Sequence, residues 1–410
     1  MSSSVVKRSQ LLASGFALAA VVAIGTALNG ISWISVDELI DHPLASALFM
    51  EIPAAGALLS LLLVALRRTL QINVLVLLGL WLAAEFAFGA INWYQAPTET
   101  DDRDAVNADV YIVPDRALGY RPVPNAVARH TASHNGHQEF SVTYRFDSFG
   151  RRETPVDPGT HRSGFLLFFG DSNTFGEGLE ERQTLPYCAG ALAPDYRPYN
   201  YGFSGWGPAQ MLELVKNGDL SSGIDQQGGF AIFFFIKDHL ARVTGSSLVS
   251  PHWGRDFPYY TLDPDGRLVH QGNFAHDRQF TTLFYYFVAS SQIAQYFDFV
   301  FPRGYSDGDY RLTAEIMAES QRYLERQFKL RGFYVVISPT FDKAQLQISR
   351  KFMSDLQKAG VKYLDYTQLY DTSDVKYRIS EWNYHNSALA NQMIAHHLVT
   401  DLGIGAAAGN

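Results

Sequence analysis

The chain has 410 residues, a formal net charge of −8 and 18% charged residues, against about a quarter in an average soluble protein. That length allows two or three domains with a sizeable core, and the acidic balance without any basic run argues against a nucleic-acid partner. The lone cysteine, Cys188, excludes an internal disulfide and reads as a small buried apolar residue of a helix.

The charge deficit is concentrated in the first hundred residues. Leu11 to Ile31 is an uncharged run of 21 residues, long enough to cross a hydrocarbon core of about 30 Å at about 1.5 Å per residue. Pro43 to Leu66 and Ile72 to Ile91 repeat the pattern, each with one carboxylate inside, Glu51 and Glu85. Each acid is expected to face the other helices or an interface; a functional intramembrane acid is the alternative. Lys7, Arg8, Arg67 and Arg68 flank one side of the spans, whereas the loop "SWISVDELIDHP" on the other is acidic. The positive-inside rule then puts the N-terminus in the cytoplasm and everything after residue 95 on the far side of the membrane. Trp33, Trp93 and Tyr94 fall where an aromatic belt would sit.

Residues 95–110, "QAPTETDDRDAVNADV", read as a polar linker leaving the three-span region 1–94. A lead-in segment, 111–164, carries a hairpin signal at Asn135-Gly136. From residue 165 to 410, strand and helix patterns alternate. Strands are predicted at Phe165–Phe169, near Tyr199–Tyr201, at Phe230–Ile236, Phe333–Ile337 and Lys362–Leu364. Helices are predicted at Thr184–Ala193, Pro208–Lys216, Thr313–Lys329, Ser349–Ala359 and Ser387–Leu402. The alternation implies an α/β fold with a parallel sheet of about five strands and helices on both faces. An insertion at about 242–309 holds a hairpin around "LDPDGRL" and the aromatic run "TTLFYYFVASSQIAQYFDFVF". Ser290, Ser291, Gln292 and Gln295 make that run a poor spanning helix, so it is expected to pack on the α/β domain rather than rest on the membrane surface.

"FLLFFGDSNTFGEG", Phe165 to Gly178, joins a buried strand to a polar triplet at its C-terminal end, where open α/β sheets place ligands. A serine there is a weak nucleophile and needs a base and an oxyanion cradle. His385, heading the last predicted helix, is the candidate base, and the amides of Ser172 and Gly202 are candidate oxyanion donors. A phosphate-cradling reading of the same loop fails because no lysine follows its glycines. Zinc held by His385, His396 and His397 is disfavoured, because adjacent histidines on a helix diverge by about 100°. No metal or cofactor is expected.

"GDSNTFGEG", "NYGFSGWG" and "YHNSALANQMIAHHL", in that order, resemble the sequence blocks of the SGNH/GDSL hydrolase superfamily, and "LGYRPVPN" and "RFDSFGRR" are similar to the lead-in of its membrane-attached members. The resemblance implies a three-layer α/β/α domain, Ser172 as nucleophile and His385 as base, with Gly170, Asp171 and Asn383 structural at the site. Two positions depart from the pattern. The third block reads "FFFIKDHLARV", with Lys237 or His239 near the place of an oxyanion asparagine, so Lys237 is either a substitute donor or paired with Asp238. No aspartate stands two or three residues before His385; Glu381 is the nearest acid, and a Ser-His dyad is the other possibility. With this resemblance the chain is read as an esterase anchored in a bacterial inner membrane, its α/β domain periplasmic, acting on an acylated envelope glycan or lipid. The alternatives are an O-acyltransferase, or a silent scaffold or carbohydrate-binding subunit among envelope-polymer synthesis proteins.

Overall fold

The computed structural model describes residues 68–95, 101–102, 111–157, 161–218 and 220–405. The first two expected spans, Glu51 among their residues, and most of the 95–110 linker lie outside these. The third expected span is the helix Arg68–Gln95. Its segment Asn73–Tyr94, 22 residues of mean hydropathy 2.2, is the one helix among the described residues long and apolar enough to cross a membrane. Two compact units result: this helix groups with residues 246–255 and 278–304, and the remaining described residues form an α/β unit.

The α/β unit opens with the short strands β1 (Asp101–Asp102), β2 (Ile112–Asp115) and β3 (Gly119–Pro122) and the hairpin of β4 (Val127–His134) and β5 (His137–Arg145). The hairpin turns at Asn135 and Gly136, whose φ values of 50° and 75° suit the Asn-Gly pair. There follow β6 (Gly164–Phe169), β7 (Tyr196–Asn200), β8 (Gly228–Phe235), the hairpin of β9 (Pro258–Leu262) and β10 (Leu268–Asn273), then β11 (Leu330–Ile337) and β12 (Lys362–Asp365). Five of them make an all-parallel sheet in the order β12-β11-β8-β6-β7.

Every residue of β6 is buried, and the strand's period of two explains why an uninterrupted apolar run was needed. Phe165, Leu167 and Phe169 enter one core with Phe233 and Phe235, beneath the helices Pro208–Asn217, Asp307–Gln327 and Lys343–Lys358. Leu166 and Phe168 enter the other with Ile232 and Phe234, against Leu185–Leu192 and Ala388–Asp401. Cys188 is buried in the first of these two helices, as an apolar residue would be.

Two helices start six residues earlier than their periodicity suggested. Ser306 accepts from the Asp309 N–H while the Asp309 carboxylate accepts from the Ser306 N–H, so that helix begins at Asp307. Asp342 accepts from the N–H groups of Ala344 and Gln345 and starts the next helix at Lys343. The insertion also divides: the β9–β10 hairpin belongs to the α/β unit, but residues 278–304 group with the apolar helix, against the expectation that the aromatic run packs on the α/β domain.

Behind the β6 loop stands Arg152, wholly buried. Its Nη1 donates to the carbonyls of Phe175 (2.7 Å) and Gly176 (2.5 Å), its Nη2 donates to that of Leu179, and the guanidinium lies on the rings of Tyr144 and Phe175. Burial lowers its pKa, yet an arginine keeps its charge. Arg152→Ala leaves the Leu179 carbonyl without its donor, reduces those of Phe175 and Gly176 to their bonds from Asn200 Nδ2 and the Leu179 N–H, and opens a cavity beneath the loop. Urea unfolding is expected to show a loss of about 3 kcal/mol or more; a change below about 1 kcal/mol would remove Arg152 from this role.

Candidate active site

β6 ends at Gly170, whose φ of 150° and lack of a side chain are both required: a Cβ there would lie 2.3 Å from the Thr174 hydroxyl. Asp171 then caps the short helix Ser172–Phe175, accepting from the Asn173 N–H at 3.0 Å. Gly176, at φ 84°, closes that helix. Ser172 is thereby held at the C-terminal end of the strand.

The last helix, Ala388–Asp401, is preceded by the loop that carries His385. The Ser172 hydroxyl donates to His385 Nε2 at 2.8 Å. On the far side of the ring, Nδ1 lies 2.7 Å from Asn383 Oδ1, and the His385 backbone N–H donates to the same oxygen at 3.2 Å. Because the backbone donor converges on that atom, it acts as the acceptor. Nδ1 therefore carries the proton and Nε2 presents its lone pair to Ser172.

Asp171 is completely buried and has two partners beyond the local turn. Arg242 Nη1 donates to its Oδ2 at 3.0 Å and to the Trp206 carbonyl at 2.7 Å. His239 Nε2 stands 3.5 Å from the same oxygen, while His239 Nδ1 accepts from the Ile236 N–H at 3.2 Å. Burial works against ionisation, but Arg242 and His239 outweigh it and hold the Asp171 carboxyl well below the usual carboxylate range. For His239 the balance is reversed: burial pushes it below its ordinary value, against the pull of Asp171.

Of the remaining expected site residues, Gly202 and Glu381 are placed differently from the sequence reading, whereas Lys237 takes one of its two expected places. Gly202 is no oxyanion donor, because its N–H donates to Asn200 Oδ1 at 3.0 Å. Its need for glycine is steric: a Cβ would sit 2.6 Å from Thr174 Cβ and 2.7 Å from the Phe175 nitrogen, inside the nucleophile helix. Glu381 is exposed and is not brought to His385, whose Nδ1 is taken by Asn383. Lys237 is half-buried in the wall of the cleft that contains Ser172, and the alternative pair with Asp238 is not formed.

Three residues went unassigned at the sequence level. Glu177, within "GDSNTFGEG" itself, puts Oε2 3.9 Å from His385 Nε2 and accepts from the Ser204 hydroxyl at 2.7 Å. Gly205 follows Ser204 at φ 80°; its N–H and that of Ser172 have no hydrogen-bond partner among the described residues. Arg242 was read as the start of an insertion rather than as the partner of Asp171.

The cleft measures about 650 Å³. Phe341, Trp382 and Tyr384 line it and are 54%, 44% and 73% exposed, and Arg378 lies over one face of the Tyr384 ring at 4.3 Å. Trp382 rests on His134 with ring centroids 4.3 Å apart.

No family model and no curated protein matches the chain. Solved structures similar to it include a carbohydrate acetylesterase, Est24, from Sinorhizobium meliloti, at 12% identity and TM-score 0.34, covering 58% of this chain and 98% of that one. A member of the lipolytic G-D-S-L family from Veillonella parvula has 9% identity and TM-score 0.33, covering 58% and 96%. An acetyl xylan esterase from Butyrivibrio proteoclasticus has 12% identity and TM-score 0.33, covering 72% and 86%. Likeness at this level carries no argument about what the chain acts on.

The Asp171–His239 pair makes stability depend on pH. An unfolded histidine takes up a proton near pH 6.5, whereas buried His239 does so only at lower pH; protonation therefore favours the unfolded chain, and stability present above about pH 6.5 is lost as pH falls. The urea midpoint is expected to drop between pH 7.5 and 5.5, and to drop less in His239→Asn. An equal drop in the two proteins would contradict this assignment.

Proposed function

We propose that the α/β unit is a serine esterase that cleaves acyl esters through an acyl-enzyme. The observation that supports it most directly is the Ser172–His385–Asn383 line, with Oγ 2.8 Å from Nε2 and Nδ1 held at 2.7 Å. Ser172 Oγ attacks the ester carbon and its proton passes to Nε2; the alcohol then leaves with that proton. Water gives a proton to the same nitrogen as it attacks the acyl carbon, and Ser172 recovers the proton on collapse. The N–H of Ser172 and that of Gly205 are the backbone donors assigned to the oxyanion, with the Lys237 ammonium as a third.

Asn383 orients the ring but brings no charge to offset the imidazolium. Glu177, 3.9 Å from Nε2, is the carboxylate placed to do so. The open cleft and its exposed aromatic rings favour an acylated glycan over a compact ester, since sugar rings present flat C–H faces that stack on aromatic planes. Transfer to a sugar hydroxyl instead of water uses the same acyl-enzyme. The apolar segment Asn73–Tyr94 is assigned as a membrane anchor, its length of about 33 Å matching a hydrocarbon core.

Two substitutions test this reading on acetylated oligosaccharides and a chromogenic acetyl ester. Ser172→Ala is expected to leave less than a tenth of the wild-type turnover and to abolish labelling by a fluorophosphonate, with the urea midpoint unchanged. Labelling that survives would reject the nucleophile. Lys237→Met is expected to lower kcat by roughly 10²-fold, about 3 kcal/mol, with little change in KM; near-wild-type kcat would remove it from the oxyanion site.

A further inference from the structure

Glu85 lies within the apolar segment, nine residues before Tyr94, or about 13 Å along the axis. It is only 2% exposed. A carboxylate near the middle of a bilayer is costly unless it is bonded inside the protein. Here Oε1 accepts from the Ser291 hydroxyl at 2.7 Å, and Oε2 accepts from the backbone N–H groups of Gln292 (2.7 Å) and Ile293 (3.3 Å).

Those donors mark a break in the insertion, where the helix Gln279–Ser290 stops and the short helix Gln292–Tyr296 starts. A break frees backbone groups that water usually satisfies. At this one they are met from within the unit: Asn92 Nδ2 donates to the Gln292 carbonyl at 2.9 Å, and Gln295 Nε2 donates to the Ala289 carbonyl at 2.8 Å. Irregular backbone at membrane depth must be satisfied internally in this way.

The outside of the same segment is apolar. Phe280 is 90% exposed and Phe297 63%, with Phe284 and Tyr296 also exposed. Phe287 stacks on Trp81 of the apolar helix, and Phe88 of that helix meets both Tyr296 and Phe297. Exposed Leu77, Leu80 and Phe86 carry the apolar surface along the helix. Ser290, Ser291 and Gln292 turn inward and four aromatic rings turn outward, the reverse of a segment facing water; Gln279 and Gln295 are the exposed polar exceptions, and Gln295 donates its amide to the Ala289 carbonyl. The charged residues Arg278 and Asp298 bound the stretch.

We propose that residues 279–297 enter the hydrocarbon beside Asn73–Tyr94, as a broken helical segment pinned to that helix by Glu85 and covered by lipid acyl chains. Lipid is the occupant because the exposed rings continue the surface of a helix whose length and hydropathy match a bilayer. The inference rests on the anchor reading above, and its test separates the two.

The full chain carrying Cys188→Ala and one added cysteine is labelled with an environment-sensitive NBD dye and placed in phosphatidylcholine vesicles with ordinary or brominated acyl chains. The cysteines are Phe86→Cys for the anchor, Phe280→Cys and Phe297→Cys for the inserted segment, and Asp265→Cys, in an exposed turn of the α/β unit, as the aqueous reference. Bromine within the bilayer is expected to lower emission at least twofold at 86, 280 and 297 and to leave 265 unchanged. Quenching at 86 without quenching at both 280 and 297 overturns the inference and keeps the anchor, and means that a second copy or another protein covers the rings. No quenching at 86 overturns both.

Discussion

One buried carboxylate holds the geometry of the candidate site in place. Asp171 caps the nucleophile helix with one oxygen and receives Arg242 and His239 with the other. Through these bonds the ends of three strands are tied together. Asp171 follows β6, Trp206 lies on the loop after β7 and shares Arg242, and His239 and Arg242 come from the helix after β8. An ionised carboxylate wholly removed from water must have such partners. Their geometry fixes where Ser172 stands, so the Asp of the Gly-Asp-Ser triplet is structural although it adjoins the proposed nucleophile.

That use of Asp171 leaves His385, the proposed base, with a neutral neighbour. Asn383 supplies the directional part of a carboxylate's task, selecting the tautomer and the ring plane, without its charge. Glu177 approaches the opposite nitrogen and is shared with Ser204, so this carboxylate lies on the Ser172 side of the ring. In the proposed mechanism, orientation and charge compensation, often combined in one aspartate, fall to two residues from different loops.

The fold was legible where one rule dominated. "FLLFF" and "FAIFFF" read as strands because both faces of a central parallel strand are covered, and period-two sorting into two cores demands an apolar residue at every position. Two helix starts were hidden because Ser306 and Asp342 act through side-chain caps, which hydrophobic periodicity does not register. At the site, Ser172 and His385 were legible from motif order, since chemistry restricts the residue type. Gly202 was misread because glycine serves two ends, close packing and substrate approach, and only coordinates show its N–H already donated to Asn200. Glu381 was favoured for its charge, but the turn anchored on Ser380 places Asn383 at the ring instead.

Glu85 and Asp171 solve similar problems with opposite balances. Each is a buried carboxylate that accepts backbone N–H groups at the start of a helix too short to offer a strong dipole of its own. Asp171 adds a guanidinium, and its charge is neutralised inside a core where a cation can be packed. Glu85 is bonded by a hydroxyl and two amides, with no cation beside it among the described residues. A second charged side chain would itself need burial on an apolar surface, whereas amides freed by the helix break carry no net charge to desolvate. The break in the 279–297 segment and the acid in the apolar helix are therefore mutually dependent: each removes the cost that the other would incur alone.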